Sequence, residues 1–263
     1  MKVLRIGTLF LTVLFLTGDL CYSQNSQQHY NKAIEYGAAG KFDAAKKEFE
    51  DILEDNLYHN TAKVWLERIK ETSEGELEKE GVVHFFKGAN YYNSGMFNQC
   101  IVELKETVRI NPNDADAYGS LGVAYRELGM WEKAAVEWRK AITIDPYDID
   151  AHINLGLHYD KKRMFDESIL EYKKALELNP DNTEALVNLG AIYNSTGMLD
   201  EAVVVLEKAA TLDPNDAKAH NNLAIIYYQK KQYGSAIKHC DKAIELGAGV
   251  NPEFLEMLKP YRK

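Results

Sequence analysis

Amide side chains recur at a fixed spacing in the second half of the sequence. Asn154, Asn188 and Asn222 are each separated by 34 residues, and Ser120 occupies the preceding place in the series. A carboxamide carries one acceptor and two donors, so it can bond both the C=O and the N–H of an extended peptide backbone. Alternatively, the amides only satisfy polar groups of a neighbouring helix, and the sequence leaves both interpretations open.

Other chemistry has little support in the sequence. His84, His152 and His220 share one place in a 34-residue period, where a bulky packing residue is usual. No pair of histidines has a zinc-ligand spacing such as His-x-x-x-His. The sequence also contains no nucleophile elbow, phosphate-binding loop or cysteine–histidine arrangement. We therefore expect no catalytic residue, no metal site and no cofactor.

Four further series share the 34-residue period, which is typical of a repeat architecture. Apolar residues recur three and four positions apart within each period, which indicates amphipathic helices. Gly95, Gly129 and Gly197 fall where a first helix would end, and prolines fall where a second helix would end. A second set of glycines lies inside the first helices, where the missing side chain lets a second helix approach closely. The period therefore predicts stacked helix–turn–helix units. The series are Tyr91, Tyr125, Tyr159, Tyr193 and Tyr227; Pro112, Pro146, Pro180 and Pro214; Gly88, Gly122, Gly156 and Gly190; and Cys100, Ala134, Ser168, Ala202 and Ala236.

This pattern resembles the tetratricopeptide repeat family. One unit reads Leu155-Gly156-x-x-Tyr159, followed by Phe165, Ser168, Tyr172, Ala175 and Pro180. The resemblance implies an all-α fold, an α-solenoid of helix–turn–helix repeats wound as a right-handed superhelix. We expect five tandem repeats at 81–250, a degenerate unit with an extra helix at 24–75, and a capping helix at 251–263.

The N-terminal segment has a pattern of its own. Lys2 and Arg5 precede an apolar stretch at 6–16, and a Cys-Tyr-Ser triplet places small residues three and one positions before Gln24. This is the three-part pattern of a secretory signal peptide. We expect residues 1–23 to be removed and the protein to be exported to the periplasm or the extracellular space. The alternatives are an uncleaved membrane anchor and lipid attachment at Cys21, against which the bulky preceding leucine argues.

In tetratricopeptide repeat proteins, peptides usually bind the concave groove, which is lined by the first helix of each unit. The resemblance therefore implies that the amide series faces this groove. Apolar, charged and aromatic residues should lie beside it, although the extra helix at 61–70 is an alternative occupant of part of the groove. The predicted partner-binding residues are Ser120, Arg126, Ile153, Asn154, Leu157, Val187, Asn188, Ala191, Asn222, Ile225 and Tyr228.

Composition narrows the function classes further. The net charge of −9 argues against nucleic acid as a partner, because phosphate binding requires basic surface. A membrane partner is expected only if the N-terminal segment is retained or lipidated. The leading hypothesis is a scaffold that binds a protein or peptide segment, in the manner of an envelope assembly factor. The alternatives are a self-associating structural module, which would be a homo-oligomer, and a non-catalytic subunit that positions substrate for a separate enzyme.

Overall fold

The computed structural model describes residues 24–55, 60–71 and 76–262, so the predicted signal segment lies outside it. Within these residues the chain forms fourteen α-helices and a terminal 3-10 turn at Lys259–Tyr261, and it contains no strand. The all-α fold predicted from the period is confirmed. The helices are α1 (Gln24–Ala38), α2 (Phe42–Asp55), α3 (Asn60–Glu71), α4 (Glu76–Asn93), α5 (Phe97–Ile110), α6 (Ala115–Glu127), α7 (Trp131–Ile144), α8 (Ile149–Lys161), α9 (Phe165–Leu178), α10 (Thr183–Ser195), α11 (Leu199–Leu212), α12 (Ala217–Gln229), α13 (Tyr233–Glu245) and α14 (Pro252–Leu258).

The chain divides into an N-terminal unit, residues 1–154, and a C-terminal unit, residues 155–263. In the N-terminal unit, α1 packs on α2, α4 on α5, and α6 on α7 as helical hairpins, while α5 also packs on α6. In the C-terminal unit, α10 pairs with α11 and α12 pairs with α13 as hairpins. In addition, α9 packs on α10, and α11 packs on α12. No helix in the described part of the protein is both long and apolar enough to cross a membrane.

Side chains at the helix starts and backbone geometry at the turns set the hairpin boundaries. Asp114 caps α6 by accepting a hydrogen bond from the Ala117 N–H at 3.0 Å, which satisfies one of the unpaired donors of the first turn. Gly129 ends the turn after α6 with a φ of 72°, a value that glycine adopts without steric cost. Arg163 adopts a φ of 59° at the corresponding turn after α8, so the left-handed turn is kept even where the glycine is absent.

The third helix, α3, is held in the N-terminal unit by aromatic packing and by an ion pair. The Trp65 ring stacks on Phe86 with centroids 4.1 Å apart and on Phe49 at 5.7 Å. Arg68 donates to both carboxylate oxygens of Asp114, at 2.9 and 2.8 Å, and to Asp116 at 3.1 Å. The extra helix therefore reaches the start of α6.

Candidate functional site

Three of the predicted binding residues in the N-terminal unit are buried. Ser120 is 0% exposed, Ile153 is 2% exposed and Asn154 is 3% exposed. The Asn154 amide donates to the Asp150 carbonyl at 2.8 Å and accepts from Arg126 Nη1 at 2.7 Å. At Asn154 the structure therefore shows the alternative interpretation, in which the amide satisfies groups of its own protein and ties α6 to α8.

Other polar side chains on first helices of this unit, including the predicted binding residue Arg126, also interact within the protein. Arg126 bonds Glu127 as well as Asn154, and burial together with the Glu127 charge raises the pKa of Tyr92 to about 12. Asp116, at another first-helix place, bonds Arg68 of α3. This contact agrees with the alternative that the extra helix occupies part of the first-helix side of the N-terminal unit.

The C-terminal unit presents its amides differently. Asn188 on α10 and Asn222 on α12 are half-buried. Neither amide has a side-chain hydrogen bond among residues 24–55, 60–71 and 76–262. Leu157, Ala191 and Ile225 are half-buried beside them in the same helix series. We call these five residues the first-helix surface of the C-terminal unit: Leu157, Asn188, Ala191, Asn222 and Ile225.

Val187 and Tyr228, also predicted to bind a partner, contribute to packing. Val187 is 5% exposed in the core of the C-terminal unit. The Tyr228 ring lies edge-on to Tyr233, with centroids 5.5 Å apart, and to Phe254 of α14, at 5.6 Å. Tyr228 therefore helps to hold the terminal helix against α12 and α13.

Histidine pairs across the hairpins are a feature that the sequence interpretation missed. His84 Nδ1 lies 2.6 Å from Glu103 Oε2, and His220 Nδ1 lies 2.9 Å from His239 Nδ1. Both pairs join residues 19 apart, one on the first and one on the second helix of a hairpin. The constant separation of 19 residues could have revealed these contacts in the sequence. It reflects the geometry of a helical hairpin and does not match a known metal-ligand spacing.

Comparisons with known proteins agree with the fold and with its repeats. Family models described as "TPR repeat" match residues 122–162, 164–197 and 192–231, and models described as "Tetratricopeptide repeat" match 103–135 and 217–247. No curated protein sequence matches this protein.

Solved structures with a similar fold include MamA and PilF proteins. A crystal structure of MamA is 25% identical, with a TM-score of 0.56 over 60% of this chain and 93% of that chain. MamA from Desulfovibrio magneticus RS-1 is 22% identical, with a TM-score of 0.60 over 66% and 97% of the two chains. PilF of Pseudomonas aeruginosa is 23% identical, with a TM-score of 0.62 over 69% and 82%. Together with the matched repeats from 103 to 247, the helical hairpins show that this chain belongs to the tetratricopeptide repeat family.

Proposed function

We propose that this protein is an adaptor that holds an extended segment of another protein against the first-helix surface of its C-terminal unit. As a tetratricopeptide repeat protein, it is a protein–protein interaction scaffold. The observation that carries the finer proposal is the contrast between amides. The Asn154 side chain both donates and accepts within its own protein, whereas no hydrogen bond joins the side chain of Asn188 or Asn222 to another described residue.

The spacing of these amides suits an extended peptide. Neighbouring packed helices lie about 8–10 Å apart, and an extended strand advances about 3.3 Å per residue. Asn188 and Asn222 would therefore meet the bound backbone about every third residue. Leu157, Ala191 and Ile225 would supply apolar contact, and the amides would bond C=O and N–H groups of the peptide backbone. Such a surface accepts segments of varied sequence.

The test uses peptides selected for binding to the purified protein from a displayed random library. The affinity of a selected peptide is measured by calorimetry for the native protein and for the Asn188→Ala/Asn222→Ala double variant. Loss of two hydrogen bonds, each contributing about 1 kcal/mol, should weaken binding roughly tenfold or more. Asn215→Ala is the control, because Asn215 is an exposed amide in the turn before α12 and lies outside the first-helix surface. Equal affinity for the double variant and the control would rule out the proposed site.

We also propose that the protein acts outside the cytoplasm as an assembly factor of a bacterial envelope. The support is the charged start, the apolar stretch and the small residues before Gln24, which together have the form of a secretory signal. N-terminal sequencing of the protein purified from its native cells tests this proposal. A mature protein that begins at Gln24 agrees with export, and a cytoplasmic protein that retains Lys2 and Arg5 contradicts it.

Self-association is a second candidate function, favoured by exposed aliphatic side chains. Leu170 on α9 is 53% exposed and Val204 on α11 is 69% exposed. Both side chains lie on the second helices of their repeats. They lie 34 residues apart and so take the same place in successive units. If these side chains join copies of the protein, sedimentation should show a mass that rises with concentration. The Leu170→Glu/Val204→Glu variant should then remain monomeric.

A further inference from the structure

We propose that His29, Glu48 and Asp51 form a binding site for a divalent transition-metal ion of the zinc type. His29 lies on α1, and the two carboxylates lie on α2. His29 Nδ1 is 2.6 Å from Glu48 Oε2 and 3.8 Å from Asp51 Oδ2. One potential ligand atom from each residue lies within 4.8 Å of the other two.

The separations are close to those of a coordinated ion. Zinc bonds to imidazole nitrogen and carboxylate oxygen are about 2.0–2.2 Å long, which places neighbouring ligand atoms roughly 3–3.5 Å apart in a tetrahedral site. To bind the ion, the distance from His29 Nδ1 to Glu48 Oε2 would increase by less than an ångström. The distance from His29 Nδ1 to Asp51 Oδ2 would decrease by a similar amount. Part-exposed side chains, at 22%, 16% and 36%, can make such movements by small changes in rotamer.

The donor set selects the class of ion. One imidazole nitrogen and two carboxylate oxygens suit zinc and its neighbours in the first transition row, whereas calcium and magnesium prefer oxygen alone. Three protein ligands leave a further position for water. The metal would bind Nδ1 of neutral His29, and the ring proton would then reside on Nε2.

The arrangement follows from the hairpin. Glu48 and Asp51 are three residues apart on one helix, so their side chains lie on the same face. The hairpin places His29 opposite them, 19 residues before Glu48. A metal bound to all three residues would therefore link α1 to α2.

A second hairpin provides an internal contrast. His84 and Glu103 repeat the same contact between α4 and α5, also at 2.6 Å. The carboxylate that corresponds to Asp51 is Glu106, and it bonds Arg109 Nε at 2.6 Å. A guanidinium beside the third carboxylate opposes a cation, so we assign the metal site to the α1–α2 hairpin alone.

Calorimetric titration of the chelator-treated protein with ZnCl2 tests the site, and Co²⁺ titration gives a visible absorption band that reports imidazole and carboxylate ligation. We expect one tight ion per molecule. A residue that only supports a metal ligand typically costs at least roughly tenfold in metal affinity when it is changed, and removing a ligand itself should cost no less. Asp51→Asn should therefore weaken zinc binding by about tenfold or more, and His29→Ala should abolish the Co²⁺ band.

His84→Ala is the matched control, since it removes the similar pair whose corresponding third carboxylate, Glu106, is bonded to Arg109. The other carboxylate near His84, Glu80, lies 3.9 Å from Nε2 and not beside Nδ1. The His84→Ala variant should bind zinc as the native protein does. Asp51 is part-exposed, so Asp51→Asn decides the question even if His29→Ala disturbs the fold. The proposal is wrong if the native protein binds neither ion. It is also wrong if Asp51→Asn and His29→Ala bind the ion with native affinity, which is the result expected if His220 and His239 held the metal instead.

Discussion

His220 and His239 form a buried hydrogen bond between α12 and α13. At the same places, the α1–α2 and α4–α5 hairpins have a histidine against a glutamate. His220 Nε2 lies 3.1 Å from the Pro214 carbonyl, which can only accept, so this nitrogen carries the proton. Nδ1 of neutral His220 must then accept, and His239 Nδ1 donates to it at 2.9 Å. Glu207 lies near His239 but accepts from the Tyr227 hydroxyl at 2.7 Å. With both rings neutral, the contact between the two rings and the contact with Pro214 each join a donor to an acceptor.

The pair predicts a loss of stability in acid. Burial lowers the pKa of His239, and the charges of His220 and Lys238 lower it further, against the opposing effect of Glu207. The unfolded protein therefore binds a proton more readily than the folded protein. The stability contributed by neutral His239 is present above the ordinary histidine pKa of about 6.5 and is lost as the pH falls below it.

The His239→Glu variant should make this acid-dependent loss smaller, because the new carboxylate can pair with a charged His220 as Glu103 pairs with His84. Urea denaturation at pH 7.5 and at pH 5.5 measures the effect in both proteins. The decrease in the free energy of unfolding between the two pH values should be larger for the native protein than for the variant. An equal decrease in the two proteins would show that the histidine pair does not control the acid response.

At the scale of helices, close approach within a hairpin depends on residues that lack a side chain. A Cβ placed on Gly190 of α10 would lie 2.4 Å from Leu206 Cγ of α11. Because packed interiors cannot absorb such an overlap without displacement, Gly190→Ala should lower the free energy of unfolding by about 1–3 kcal/mol. Gly234→Ala is the control, since no atom lies within 4 Å of its Cβ position. Thermal or urea denaturation should show the control to be as stable as the native protein, or slightly more stable.

The placement of α3 depends on Arg68. Its guanidinium bonds Asp114 and Asp116 and lies 3.6 Å from the centre of the Phe85 ring. Although burial alone would lower the pKa of Arg68, the two carboxylates raise it overall. Arg68→Ala would leave the Asp114 carboxylate poorly compensated and should cost about 3–5 kcal/mol.

Arg68→Lys provides the comparison for this prediction, because it keeps the positive charge but loses the two parallel hydrogen bonds. It should cost less than Arg68→Ala. Urea denaturation followed by tryptophan fluorescence, to which Trp65 of α3 contributes, measures both variants. A cost below about 1 kcal/mol for Arg68→Ala, the range of an exposed ion pair, would show that the contact does not anchor α3.

The sequence predicted these helices well because the 34-residue period combines many weak preferences into one strong pattern. The same period could not show the ion pair between Arg68 and Asp114, because Arg68 lies on α3, outside the repeated register. It also could not distinguish Asn154 from Asn188. Both amides occupy the same place in their units. They differ because Arg126, in the unit before Asn154, donates a hydrogen bond to the Asn154 side chain.

At the scale of the whole molecule, a stack of repeats leaves its last hairpin without a following neighbour. Such arrays require a cap, because the final helices would otherwise expose apolar surface. We propose that α14 is this cap, because Leu258 is fully buried against Ala224, Ala236 and Cys240. Phe254 and Leu255 pack beside them. Leu258 is the only buried residue of α14 and so its main anchor.

Leu258→Ala should loosen this cap. Truncating a fully buried leucine costs about 2–5 kcal/mol, and only the contacts nearer the surface, such as Phe254 with Tyr228 and Tyr261 with Tyr233, then hold the segment. Cys240 reports the change directly, because its thiol is a buried free cysteine whose pKa is raised mainly by burial. Loosening the cap should lower that pKa toward its ordinary value and increase the rate of reaction with a thiol reagent.

Met257→Ala, at a 47% exposed position on the same helix, should react at the native rate and change stability by less than about 0.5 kcal/mol. If the two variants react equally, Cys240 is protected by α12 and α13 alone and the terminal helix is not the cap of the stack.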